Sequence, residues 1–147
     1  MTADPTGPSL LYAVKQVELA VRAHLDELLR PSGITALQYT ALTVLARRAG
    51  LTSAELARNA FVTPQSMGDL VTALERRELV ARHRDPRHAR RLLISLTPVG
   101  QELLARAEPD VRALEERMLG SLAAGERAAL RDYLTRCRSA LADGPVR

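Results

Sequence analysis

Four threonines, Thr35, Thr52, Thr63 and Thr97, set where helices can begin in this 147-residue chain. A threonine hydroxyl accepts a hydrogen bond from a free N–H of the first helical turn. A Gln or Glu three residues on can reach back to the threonine's own N–H. Thr35 with Gln38 and Thr52 with Glu55 have that reciprocal spacing. Thr63 and Thr97 are instead followed by Pro64 and Pro98, at the helical position where a missing N–H costs nothing. The apolar pairs Leu51 with Leu56 and Val62 with Met67 staple two of these entries. Two of the starts, Thr52 and Thr63, lie close enough to make a helix-turn-helix.

The spacing of apolar residues fills in the elements. Leu10, Val14, Val17, Val21, Leu25 and Leu28 fall in steps of three and four, one helical face, ended by Pro31 and Gly33. The second helix runs from Thr35 to Arg48. The third is short, with Asn59 as the left-handed residue that ends it. The fourth buries Met67, Leu70, Val71 and Leu74 and turns Gln65, Asp69, Thr72 and Arg76 outward, with Ser66 beside them. The pattern then changes: Leu79–Arg84 and Arg91–Leu96 read as two strands joined by a loop at Asp85-Pro86. From Thr97 a long helix carries Leu103, Leu104, Ala107, Val111, Leu114 and Met118, and Pro109 within it predicts a kink or a restart. A last helix, 125–141, places Leu130, Tyr133, Leu134, Cys137 and Leu141 on one face.

This is a mainly α chain with a small β-hairpin wing. Its divisions are an arm, 1–9, a winged helix-turn-helix, 34–97, and helical flanks, 10–31 and 98–142. With 46% hydrophobic but only 3% aromatic residues, the core must be Leu, Val and Ala, which favours helices. The flanking helices carry more apolar face than the middle can cover, so a partner chain is expected.

Charge is placed unevenly. The net charge is only +4, yet residues 76–91 hold seven arginines against two acids. A capped helix followed at once by a cationic ribbon is the outline of a unit that reads double-stranded DNA. Gln65 and Ser66 have the chemistry for base edges. Arg84, Arg87, Arg90 and Arg91 suit phosphates or a narrow minor groove, while Arg82 is expected to pair with nearby acids. His83 and His88 flank Asp85 but fit no metal pattern and read as surface residues. No nucleophile with a base, phosphate loop or carboxylate pair suggests an enzyme or a cofactor. Cys137, the single cysteine, excludes an intrachain disulfide and reads as structural, buried at an interface. With no signal segment or membrane-length apolar run, a soluble cytoplasmic protein is expected.

The order of elements, with Thr63-Pro64-Gln65-Ser66-Met67, Leu70-Val71, Leu74-Glu75, Asp85-Pro86-Arg87 and Leu96-Thr97-Pro98-x-Gly100, resembles the MarR family of winged-helix regulators over nearly the whole chain. The resemblance implies a homodimer joined by its N- and C-terminal helices. It also implies a recognition helix in the major groove and a wing Arg, here Arg87, near the minor groove, with Asp85 as its ion-pair partner. It further implies a repressor on a pseudo-palindromic operator, released by a small aromatic or phenolic effector held near His24 and Tyr39. Two positions depart from the family pattern. Glu78 stands where Gly is usual, which predicts a different helix ending, and Gly68 lies inside the recognition helix. The alternative from another class is a winged-helix protein–protein module without specific DNA binding.

Overall fold

The computed structural model describes Gly7 and residues 9–142; the arm expected over 1–9 lies almost wholly outside these. Six helices and one hairpin follow in the order α1 (Leu10–Leu29), α2 (Ala36–Arg47), α3 (Ser53–Ala60), α4 (Pro64–Arg76), β1 (Val80–Asp85), β2 (His88–Leu96), α5 (Pro98–Met118) and α6 (Ala124–Ala140), with one 3-10 turn, Arg30–Ser32, after α1. All four threonine caps form. Thr35 and Thr52 close reciprocal boxes with Gln38 and Glu55, and the Thr63 and Thr97 hydroxyls accept from the N–H groups of Ser66 and Gly100.

Several details differ from the sequence reading. The left-handed residue ending α3 is Phe61, at φ 58°; Asn59 remains helical and its side-chain N–H donates to the Glu55 carbonyl. The turn needs the residue after the last helical position, which is Phe61. Asn59 lies two residues too early. α5 runs unbroken through Pro109, so no restart occurs. β2 begins at His88, three residues before expectation, because Asp85 pairs with His88 across a two-residue turn. The register then shifts, and Arg84 pairs with Leu92. Ala89, Arg90 and Arg91 are left as extra residues on β2, a bulge that frees their side chains from strict alternation.

Glu78 does not change how α4 ends. It adopts the left-handed conformation itself, at φ 61°. The Leu79 N–H bonds the Leu74 carbonyl and the Glu78 N–H the Glu75 carbonyl, the paired closure that glycine usually supplies.

The core is aliphatic and sits in the middle of the chain: Leu42, Leu45, Leu56, Met67, Val71, Leu74, Leu79, Val80 and Ile94 are all buried, with Leu29 from α1 and Leu103 from α5. Leu51 bonds Ile94 in both directions and ties the wing base to the turn before α3. At its outer ends the chain is different. Of α1 only Leu29 is buried, and α6 buries no residue. Leu10, Val14 and Val17 on α1, and Tyr133 and Leu134 on α6, are half or more exposed. Cys137 too is exposed in the single chain, so nothing within the protomer buries it.

Candidate nucleic-acid interface

Packing of Met67, Leu70, Val71 and Leu74 against the core decides which side of α4 faces out. Gln65, Ser66, Asp69, Thr72 and Arg76 are exposed on that outer side, as their spacing predicts. Thr63 caps the helix, and its hydroxyl also donates to Ser66 Oγ at 3.0 Å. Pro64 fixes the first turn. Pro64 has no N–H and the Ser66 N–H is taken by the Thr63 hydroxyl, so within the first turn the Gln65 N–H is left to meet a phosphate. Gly68 meets nothing: a side-chain carbon added there finds no atom within 4 Å. Packing does not require it.

The arginines of the wing divide by what they touch. Arg82 donates to Thr72 Oγ1 at 3.2 Å and lies 3.6 Å from the Glu75 carboxylate, so it joins the strand to α4. Thr72 also donates to the Gly68 carbonyl, which turns its hydroxyl toward its own helix. Arg91 lies 3.7 Å from Glu55 on α3. Arg84, Arg87 and Arg90 are exposed and enter no ion pair among the described residues. Asp85 does not pair with the Arg87 guanidinium. It accepts the Arg87 backbone N–H at 2.9 Å, a local turn that shapes the wing tip and leaves the cation free. Asp69 and Arg76 likewise enter no ion pair among the described residues.

Glu55 is held below the usual carboxylate range. The Thr52 hydroxyl contributes most, then the Thr52 N–H, with attraction from Arg91 and Arg48 working against a partial loss of hydration. One carboxylate thus closes the α3 cap and anchors the wing.

His24 and Tyr39 are not brought together. Tyr39 lines a cleft between α2 and α5 with Thr43, Arg47, Leu104 and Glu108. Burial, and then the charge of Glu108, push its phenol above 10.0, so it remains an O–H donor. His24 is exposed on α1 and faces Leu114 and Arg117 of α5 in a separate groove. A third concavity, of about 650 Å³, lies between α1, α2 and the turn at Phe61.

Two contacts escaped the sequence reading. Arg77 reaches back over more than forty residues to the turn after α1, donating to the carbonyls of Ser32 and Gly33 at 2.7 Å each. Thr97, besides capping α5, donates to the Glu78 carbonyl at 2.6 Å. Neither has a local signal, because each pairs residues far apart in the chain.

Fold and site together define a winged helix-turn-helix DNA-binding regulator. The MarR family model matches residues 32–91. The chain is 36% identical over 128 residues to an HTH-type transcriptional repressor of Mycobacterium tuberculosis, covering 87% of this chain and 92% of that one. Among solved structures it resembles the M. tuberculosis MarR-family protein Rv2887 in complex with p-aminosalicylic acid, with a TM-score of 0.72 and 35% identity over 88% of this chain and 98% of that one. It also resembles the S. aureus MepR–DNA complex, with a TM-score of 0.81 and 25% identity over 92% and 100% of the two chains. The chain belongs to the MarR family of transcriptional regulators.

Proposed function

We propose that this protein is a cytoplasmic homodimeric repressor, and not an enzyme, that binds a pseudo-palindromic operator and is released by a small aromatic or phenolic acid. One observation carries the reading: the outward stripe of α4 and the wing arginines are exposed, with Arg82 tying the wing to Thr72 of the stripe, while the apolar faces of α1 and α6 are left uncovered. Residues 10–31 and 98–142 then form the dimer scaffold, and 34–97 the reading head. In such a dimer each α4 enters one of two successive major grooves, with half-sites about 34–36 Å apart. Gln65, Ser66, Asp69 and Arg76 face base edges, Thr63 and Pro64 present the helix start to a phosphate, and Thr72 shapes the stripe with Arg82. Arg84, Arg87 and Arg90 meet the backbone or minor groove, with Asp85 shaping the tip. Arg91 holds the wing to α3.

For the effector, the Tyr39 cleft offers matched chemistry: Arg47 for a carboxylate and the Tyr39 hydroxyl as donor. The groove that His24 shares with Arg117 and Glu27 is a second candidate. Relatives bind p-aminosalicylic acid and 4-hydroxyphenylacetate.

The test is fluorescence anisotropy on DNA duplexes selected by the protein from a random pool, against a scrambled control and across a salt series. Selective binding that weakens steeply with salt is expected. Arg87→Ala should lose about 1–3 kcal/mol of operator affinity. Failure to select any sequence would overturn the reading in favour of a protein–protein module. Titrating p-aminosalicylic acid into the complex tests release, with Tyr39→Ala and Arg47→Ala expected to need more of it.

A further inference from the structure

We propose that Arg77 is a positioning residue for DNA reading: it locks the C-terminal end of the recognition helix to the scaffold. Arg77 is the residue that follows α4, and its guanidinium donates one N–H to the Ser32 carbonyl and another to the Gly33 carbonyl, each at 2.7 Å. These carbonyls end the turn that joins α1 to α2. A planar fork presents two N–H groups to two neighbouring acceptors in a fixed geometry, whereas a lysine ammonium is a strongly hydrated point charge on a flexible stem. The turn is shaped for this. Gly33 sits at φ +73°, and a side-chain carbon on it would lie 3.1 Å from Arg77 Nη1.

The next residue makes the opposite connection. The carbonyl of Glu78 accepts the hydroxyl of Thr97, the cap of α5. Two successive residues at one end of the recognition helix therefore hold the end of α1 and the start of α5. Those are the helices that enter and leave the reading head, and α1 carries part of the uncovered apolar face. The angle of α4 in the groove is set from its C-terminal end, by two hydrogen-bonded junctions that lie off its DNA-facing stripe. A change in how α1 and α5 lie passes to α4 through Arg77 and Glu78.

This inference rests on the DNA-reading function proposed above and adds a residue outside the DNA-facing stripe. The rival for an exposed arginine near a basic wing is a plain phosphate contact, and charge retention separates the two. Arg77→Lys keeps the charge and loses the fork. Positioning predicts that Arg77→Lys and Arg77→Ala both lose about tenfold in selectivity for the selected operator over the scrambled duplex, with the salt slope unchanged. A phosphate contact predicts that Lys restores binding, while Ala weakens both duplexes equally and lowers the slope by about one. That second pattern overturns the proposal. Thermal melting of each variant shows whether it is folded.

A measurement on the unaltered protein covers the case in which the variants do not fold. The Arg77 guanidinium resonance in nitrogen-15 NMR should be slowed in exchange without DNA and unmoved by operator, whereas that of Arg87 should shift. An Arg77 resonance that moves with DNA as Arg87's does would overturn the assignment. If the wild-type protein selects no sequence, the function proposed above fails first, an outcome distinct from either result for Arg77.

Discussion

At the scale of single residues, the backbone near the recognition helix carries two constraints of opposite kind. Glu78 adopts φ 61°, a conformation that costs an L-residue roughly 1–2 kcal/mol and costs glycine little. Glycine in turn gives up more freedom on folding, which offsets part of the gain. Glu78→Gly should therefore raise stability by about 0.5–1 kcal/mol in urea unfolding; an unchanged midpoint would mean that the Glu78 side chain contributes as much as its backbone loses. Gly100 is the reverse case. A side-chain carbon there would stand 2.3 Å from the Leu79 carbonyl oxygen and 2.6 Å from Leu96. The close seating of α5 on the wing base depends on that missing atom. Gly100→Ala should destabilise by about 2–3 kcal/mol, and a variant as stable as wild type would refute this packing account.

At the scale of elements, α3 and the wing share one carboxylate. Because Glu55 is held below its ordinary value of 4.5, the native chain takes up its proton less readily than the unfolded chain. The stability this contributes is complete above the ordinary carboxylate range. It is lost as pH falls through the lowered native value. Glu55→Gln should therefore lower stability at neutral pH and flatten the acid side of the stability–pH curve. A parallel displacement at all pH values would show that hydrogen bonding alone, without the charge, is at work. Thr52→Ala removes the cap itself and should cost about 1 kcal/mol. The positions of these elements were legible in the sequence because capping is local: a threonine, a residue three positions on and a proline next door carry the signal. The start of β2 was not, because it depends on how Asp85 and His88 pair across the turn.

At the scale of the whole molecule, the uncovered faces of α1 and α6 argue for a second copy of the chain. Leu10, Val14, Val17, Tyr133 and Leu134 are each more than half exposed, far more apolar surface than a solitary domain leaves at its two ends. Leu134→Glu places a charge in the middle of that face and should shift sedimentation equilibrium toward the monomer. Operator affinity should fall with it by a hundredfold or more, since two linked heads bind far more tightly than one. A monomeric variant that kept full affinity would mean that one head suffices. Cys137 belongs to the same question. It is exposed in one chain and lies on the helix face that a partner would cover.

What the sequence determined by itself was everything that rests on short range: six helices, their caps, the buried face of α4 and its outward stripe, and the cationic hairpin after it. Helical period and capping chemistry act within a few residues, so a single chain read in order reveals them. The tertiary structure alone decided which arginines are free. Arg82 and Arg91 are drawn to acids on α4 and α3, Arg77 to carbonyls at the end of α1 and Arg84, at 3.5 Å, to the Ala89 carbonyl across the hairpin, while Arg87 and Arg90 remain open among the described residues. All six are the same residue type in one basic stretch, and composition cannot separate them. Their roles depend on which acceptors the fold brings within hydrogen-bonding distance, a matter of packing between segments remote in the chain.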